Sequence, residues 1–276
     1  LSLWVQKKMK IIDLINQPSV DNSLKIGYLG QSGYVLKKNN FTILIDPYLS
    51  NFIEDSSGLN DKRMKRNFAP MIRPEEINSI DIVLCTHAHY DHMDPWTLEN
   101  IKPNYKLYCS KTAYNNNQVS LSKNQLKFID WHKSINIGEF QITPYAAAHY
   151  HKADENGNPD CLSFLITIGD IKLFFWGDGI LYDEIIDNLS MHHFNMFFAP
   201  INGRDWFREK DGIIGNINSR ELAEICSKLN IDYVVPNHYD MFDYNSEIPS
   251  HFINYLQKIA PNQKVQNMQQ SEIIIL

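Results

Sequence analysis

Thr86-His87-Ala88-His89-Tyr90-Asp91-His92 packs three imidazoles and a carboxylate into one short segment. Imidazole nitrogen and carboxylate oxygen together suit Zn2+, Mn2+ or Fe2+. The segment follows the apolar run Asp81-Ile-Val-Leu-Cys85, which reads as a strand, and precedes Asp94-Pro95-Trp96-Thr97-Leu98-Glu99. That last stretch is a helix start, with Asp94 as N-cap and Pro95 in the first turn. A loop at a strand end can aim alternate side chains, His87 and His89, at one ion while Asp91 and His92 face a second. Four ligands do not complete two coordination shells, so other strand ends must supply more. His149 follows the strand read over Phe140–Ala148, Asp178 stands between two glycines after Ile171–Trp176, and His238 follows Tyr233–Val235 through Pro236-Asn237.

On these residues the chain resembles the metallo-β-lactamase superfamily over Gly27 to His238, which implies an α+β fold, a four-layer αββα sandwich. The resemblance implies that His87, His89 and His149 hold one divalent ion, that Asp91, His92 and His238 hold another, and that Asp178 bridges the two. His151, two residues past His149, is the alternative third ligand of the first ion. The implied cofactors are two divalent metal ions, Mn or Zn, with Fe not separated from them by this donor set. Ions about 3.5–4 Å apart can share a water, lower its pKa and polarise a substrate oxygen. A shared hydroxide is then the nucleophile. Asp178 offsets the repulsion between the ions, and Asp91 orients the hydroxide and passes its proton to the leaving group, so both count as catalytic.

Ile45-Asp46-Pro47-Tyr48-Leu49-Ser50, THAHYDHMDP, Asn202-Gly203-Arg204-Asp205 with Arg208, and Asn237-His238-Tyr239-Asp240-Met241-Phe242 are similar to the branch containing L-ascorbate-6-phosphate lactonase. That likeness implies hydrolysis of a sugar-acid lactone, phosphorylated, with Asn202, Arg204, Arg208 and Tyr239 contacting the substrate. Guanidinium groups grip phosphate in a fork, yet Arg204 could equally pair with a carboxylate as plain architecture. Backbone N–H groups in Gly212-Ile-Ile-Gly215-Asn216 could also receive an anion. Asp46 reads either as a turn residue before Pro47 or as a hydrogen-bond partner of a ligand histidine. A phosphodiesterase or other ester hydrolase of the same fold is the competing enzyme, and a metal-binding sensor without turnover is the third reading. His132, His192, His193 and His251 lie in polar or helical surroundings and need no metal.

Elements alternate around these residues. Leu24–Tyr48 reads as two or three antiparallel strands, Leu107–Cys109 and Leu126–Ile129 as strands flanking a helix over Ser110–Asn117, and Leu162–Ile168 with Ile171–Trp176 as a hairpin turning at Gly169-Asp170. Met196–Ala199 is a further strand, and Ser219–Leu229 is an amphipathic helix with Leu222, Ile225, Cys226 and Leu229 on its apolar stripe. Asn51–Pro74 is a polar excursion carrying Gly58, Lys62, Arg63, Lys65 and Arg66 that either flanks a site or is solvated. Trp4, Trp96 and Trp206 are expected in the core. Residues 1–23 read as an N-terminal extension and 24–276 as a single domain.

The 276 residues carry 26 Lys+Arg against 32 Asp+Glu, a formal charge of −6. No basic run exceeds a pair, so nucleic acid is not an expected partner. No apolar run is long enough to span a bilayer, and Leu1–Ile12, with Lys7, Lys8 and Lys10, has neither the apolar core nor the cleavage site of a secretory leader. With four scattered cysteines, Cys85, Cys109, Cys161 and Cys226, a cytoplasmic protein is expected. The expected partner is a small anionic substrate, with no membrane; a homo-oligomer is left open.

Overall fold

The computed structural model describes residues 3–5, 9–19, 21–56, 63, 65–102, 104–131, 133–149 and 151–276. Lys7, Lys8, Gly58, Lys62 and His132 lie outside the described residues. In chain order the elements are β1 (Trp4–Val5), α1 (Ile11–Asn16), β2 (Leu24–Gly30), β3 (Gly33–Lys38), β4 (Phe41–Ile45), α2 (Phe52–Ser56), β5 (Ile82–Leu84), α3 (Pro95–Asn100), β6 (Lys106–Cys109), α4 (Lys111–Asn115) and β7 (Leu126–Phe128). They continue as β8 (Ile135–Ile137), β9 (Phe140–Ala147), β10 (Cys161–Ile168), β11 (Ile171–Phe175), α5 (Asp183–Ser190), β12 (His193–Pro200), α6 (Trp206–Lys210), α7 (Ser219–Lys228), β13 (Asn230–Asn237), α8 (Pro249–Ile259), β14 (Lys264–Val265) and β15 (Ile273–Ile275). Two mixed sheets with helices place the chain in the α+β class. It divides into two compact units, one of Leu1–Ile129 with Met268–Leu276 and one of Asp130–Asn267.

In the first unit the sheet order is β1-β15-β2-β3-β4-β5-β6-β7. Strands β1, β15, β2, β3 and β4 pair antiparallel, whereas β4, β5, β6 and β7 pair parallel. The β-branched residues of Phe41–Ile45 and Ile82–Leu84 suit a sheet covered on both faces, and Ile43, Leu44, Ile45, Val83 and Leu84 are all buried. Parallel register sets Ile45 opposite Leu84, so both strands stop side by side and release Asp46 and Thr86 at one edge. Ile11, Leu14 and Ile15 of α1 join Leu29, Val35, Leu44, Leu98 and Leu107 in one apolar cluster. Asp94 caps α3 by accepting from Trp96 N at 3.0 Å, as Asp94-Pro95 predicts.

The second unit repeats the plan with order β14-β13-β12-β11-β10-β9-β8. Here β14, β13, β12 and β11 pair parallel, and β11, β10, β9 and β8 antiparallel. The hairpin of β10 and β11 turns at Gly169, φ +56°, as read from the sequence. Phe175 and Phe198 stack across β11 and β12 at 4.4 Å. Leu222, Ile225, Cys226 and Leu229 face the apolar cluster of this unit, which also takes Phe252 and Leu256 from α8.

Tryptophan burial departs from expectation. Trp96 is 52% and Trp206 63% exposed. Both stand in the first turn of helices of five or six residues, too short to cover a whole face, and Trp206 instead packs edge-on to Phe207 with the Lys210 ammonium 4.8 Å from its ring. No helix among the described residues is long and apolar enough to cross a membrane. All four cysteines are buried, and none forms a disulfide among the described residues.

Candidate functional site

Asp46 ends β4 with φ +43°, a left-handed geometry that an aspartate tolerates better than most side chains. That turn directs its carboxylate at the start of the histidine loop. Oδ1 accepts from Thr86 N at 2.8 Å, and Oδ2 accepts from Thr86 Oγ1 at 2.7 Å and from His92 Nδ1 at 2.7 Å. Because the Thr86 hydroxyl spends its proton on Asp46, its lone pair is free to accept from His87 Nδ1 at 3.0 Å. Both rings therefore carry their proton on Nδ1 and keep the Nε2 lone pair for a metal. Burial pushes the Asp46 carboxyl upward, opposed by the hydrogen bonds it accepts from His92 and Thr86.

The loop is tight. His92 N and Met93 N both donate to His89 O, at 3.0 and 2.8 Å, and Asn117 Nδ2 donates to Ala88 O at 2.7 Å and Met93 O at 2.8 Å. Ring centroids of His87 lie 4.5 Å from His89 and 4.2 Å from His92. His87 and His89 offer ligand nitrogens within 4.8 Å of each other, as do Asp91 and His92 their ligand atoms. Asp91 Oδ2 accepts from Gln31 Nε2 at 2.7 Å and lies 3.7 Å from His92 Nε2. Gln31, in the turn between β2 and β3 with φ +54°, is a residue that sequence reasoning missed, because nothing in Gly30-Gln31-Ser32-Gly33 marks it as more than a turn.

Arg66 is buried and not a solvated part of the polar excursion. Its Nε donates to Phe68 O at 2.8 Å, its Nη1 to Ser50 O, and its guanidinium lies 4.6 Å from the Tyr48 ring centroid. It straps the excursion to the segment that follows Asp46.

In the second unit Asp178 follows β11 inside Gly177-Asp178-Gly179, where Gly177 has φ +67°. Its backbone is fixed from three sides. Cys161 Sγ donates to Asp178 O at 3.0 Å, Gly179 N donates to Asn216 Oδ1 at 2.8 Å, and Ile180 N donates to Ala148 O at 2.8 Å. A Cβ on Gly179 would meet Ala148 O at 3.4 Å, and this close passage brings Asp178 alongside His149. Asp178 Oδ2 lies 3.9 Å from His149 Nε2 and 3.3 Å from His238 Nε2. His238 leaves β13 with φ +58°. His149 is buried, whereas His151 is exposed.

The residues expected to bind substrate have partners in this unit. Arg204 makes a bidentate pair with Glu221, at 3.0 and 2.8 Å, and its Nη1 also donates to Asn216 O at 3.0 Å. Arg208 donates from Nε to Asp205 Oδ2 at 2.5 Å, from Nη1 to Asn245 Oδ1 at 2.7 Å and from Nη2 to Asn202 O at 2.9 Å. Asn202 bonds through its side chain to Asn245 and Asn216, and the Tyr239 hydroxyl donates to Asn267 Oδ1 at 2.9 Å. Burial holds the Tyr239 phenol up at about 12. In the glycine-containing stretch, Gly212 N, Ile213 N and Asn216 N donate to Glu209, Arg208 and Gly203 carbonyls. Asn216, read from the sequence only for its backbone N–H, uses its side chain to link Asn202 to the residue after Asp178. His192, His193 and His251 bond to Tyr145, Asp232 and Glu247, away from the clusters above.

The described family "Beta-lactamase superfamily domain" matches residues 42–239. A UPF0173 metal-dependent hydrolase of Methanobrevibacter smithii is 28% identical over 253 residues, 87% of this chain and 91% of that protein. Another from Lawsonia intracellularis is 24% identical, covering 85% of this chain and 91% of that protein. Among solved structures, Igni18, described as a novel metallo hydrolase from Ignicoccus hospitalis, superimposes with a TM-score of 0.66 at 20% identity, over 92% of this chain and 98% of that one. The chain belongs to the metallo-β-lactamase superfamily and has its fold.

Proposed function

We propose that this superfamily member is a metal-dependent hydrolase whose two half-sets of ligands make one dinuclear centre. His87, His89 and His149 hold one ion, Asp91, His92 and His238 the other, and Asp178 both. One observation carries the reading: a buried carboxylate oxygen, Asp178 Oδ2, is approached by the Nε2 atoms of two buried histidines, as a shared ligand requires. The donor chemistry fits, because the Nδ1 protons of His87 and His92 are already placed on Thr86 and Asp46. When bound, Mn2+ or Zn2+ ions would supply Lewis acidity and a water acidic enough to ionise near neutrality.

The protein's own groups do the rest. Gln31 donates to Asp91 Oδ2 and so orients the carboxylate that would ligate and take or return a proton near the reacting atoms. The Asn216 amide fixes the backbone just after Asp178. The substrate we infer is a sugar-acid lactone carrying phosphate, of the kind hydrolysed by the L-ascorbate-6-phosphate lactonase-like branch, and the expected compartment is the cytoplasm. Asn202 and Tyr239 are offered as substrate contacts, with Arg204 and Arg208 shaping the loop behind them through Glu221, Asp205 and Asn245.

Metal analysis with an activity screen tests both levels. Protein expressed with Mn2+ or Zn2+ should carry about two ions per chain and hydrolyse phosphorylated lactones faster than simple lactones or bis-p-nitrophenyl phosphate. A content near zero rejects the dinuclear centre. Two ions with preference for the phosphodiester keeps the centre and replaces the substrate class. Asp178→Asn should lose metal and activity together.

A further inference from the structure

A groove of about 500 Å3 lies in the second unit where the start of α7 meets α8, lined by Asn218, Ser219, Arg220, Glu247, His251, Asn254, Tyr255 and Lys258. None of these residues belongs to the ligand clusters. Two of its cations, Arg220 and Lys258, are exposed and make no ion pair among the described residues. Glu247 is the one carboxylate in the lining, and it is engaged: its Oε1 accepts from His251 Nδ1 at 2.9 Å and from Ile248 N at 2.6 Å. The groove is therefore locally positive in a chain of net charge −6.

Ser219 lies at the edge of the groove. It is 3% exposed, and its Oγ is shut off from solvent behind the groove wall. It sits at the first position of α7, a ten-residue helix whose positive end faces the same space. Next to these donors, Tyr255 presents a ring 39% exposed and Asn254 an amide.

We propose that this groove binds a phosphate monoester of a small metabolite. Arg220 and Lys258 hold the phosphate, and the Tyr255 ring and Asn254 amide meet the sugar-like remainder. A phosphate offers three oxygens and close to two charges, matching two unpaired cations better than a carboxylate would. The volume exceeds that of a bare anion, so an esterified ligand fits. The inference does not rest on the metal centre.

Titration calorimetry of the metal-loaded full chain with ribose 5-phosphate, inorganic phosphate and ribose tests it. Ribose 5-phosphate should bind, ribose should not, and the double variant Arg220→Gln, Lys258→Gln should weaken ribose 5-phosphate by at least about tenfold, the scale of losing charge-assisted contacts. Both substitutions are on exposed side chains, and circular dichroism should match the parent. Tyr255→Ala should weaken ribose 5-phosphate and leave inorganic phosphate unchanged. The variant-sensitive binding should survive chelation of the metals. Equal affinity in parent and double variant, or binding that vanishes on chelation, overturns the proposal by placing the anion elsewhere; absence of phosphate binding at millimolar concentration overturns it directly.

Discussion

His92 Nδ1 meets Asp46 Oδ2 at 2.7 Å, and the same carboxylate takes two further hydrogen bonds from Thr86. Three donors therefore converge on one side chain that has only acceptors. In Asp46→Asn an amide nitrogen must face a donor in either orientation. Turned toward Thr86 N it opposes an N–H; turned the other way it drives the His92 proton from Nδ1 to Nε2, which closes that nitrogen to a metal. Metal affinity should fall by about 10–100-fold, as for other partners of ligand histidines. Equilibrium dialysis with Zn2+ or Mn2+ measures it, and unchanged affinity would show that the Asp46 contact does not set the tautomer.

Gln31 acts one step from the chemistry, through Asp91 Oδ2 at 2.7 Å. Gln31→Leu keeps the bulk and removes the donor. Losing a hydrogen bond to a charged group, worth about 1.5–3 kcal/mol, predicts a drop in kcat of roughly 10–100-fold. KM should change little, because the contact orients a reacting group and does not bind substrate. A rise in KM with kcat intact would assign Gln31 to substrate binding instead.

Much of this was legible beforehand because strand ends are marked by abrupt changes of residue type. Val83-Leu84-Cys85 gives way to Thr86-His87, and Phe174-Phe175-Trp176 to Gly177-Asp178, so ends of apolar runs, proposed ligands and turns coincide. The hairpin at Gly169-Asp170, the strands near 107, 126 and 140, and α7 were read for the same reason. Helices α5 and α8 were not, although Ile185, Ile186 and Leu189 in the one and Phe252, Ile253, Leu256 and Ile259 in the other make apolar stripes comparable to that of α7. Gln31 and Asn216 carry no spacing signal at all. Their roles come from where β2 turns and where the chain returns past Asp178, which tertiary structure alone determines. Arg204 shows the converse: a guanidinium near a strand end looks like a phosphate ligand until Glu221, seventeen residues on, occupies its fork.

Close backbone passage around that arginine gives a stability prediction. A Cβ on Gly215 would stand 2.3 Å from Gly203 O and 2.4 Å from Arg204 Cβ, distances that backbone must yield to. Gly212 has φ +81° but open space around its Cα. Gly215→Ala should therefore destabilise by about 1–3 kcal/mol or more through overpacking, whereas Gly212→Ala should cost roughly 1–2 kcal/mol from its left-handed backbone alone. Urea unfolding midpoints compare the two. The larger loss is expected at Gly215, and the reverse order would mean that the 203–216 loop relaxes around an added methyl group.

His149 and His151 differ by two positions in sequence and sharply in surroundings. His149 is buried with Nε2 3.9 Å from Asp178 Oδ2, on the segment held by the Ala148 O to Ile180 N hydrogen bond; His151 is exposed. If His149 completes the first ion's shell, His149→Ala leaves only His87, His89 and Asp178 for that ion, and metal content should fall from about two toward one per chain while the second ion stays on Asp91, His92 and His238. His151→Ala should leave metal content at the parent level. Elemental analysis of both variants, purified after identical metal supplementation, reads the difference directly; loss of an ion in His151→Ala with retention in His149→Ala would shift the ligand by two residues and require the loop after Ala148 to take another register.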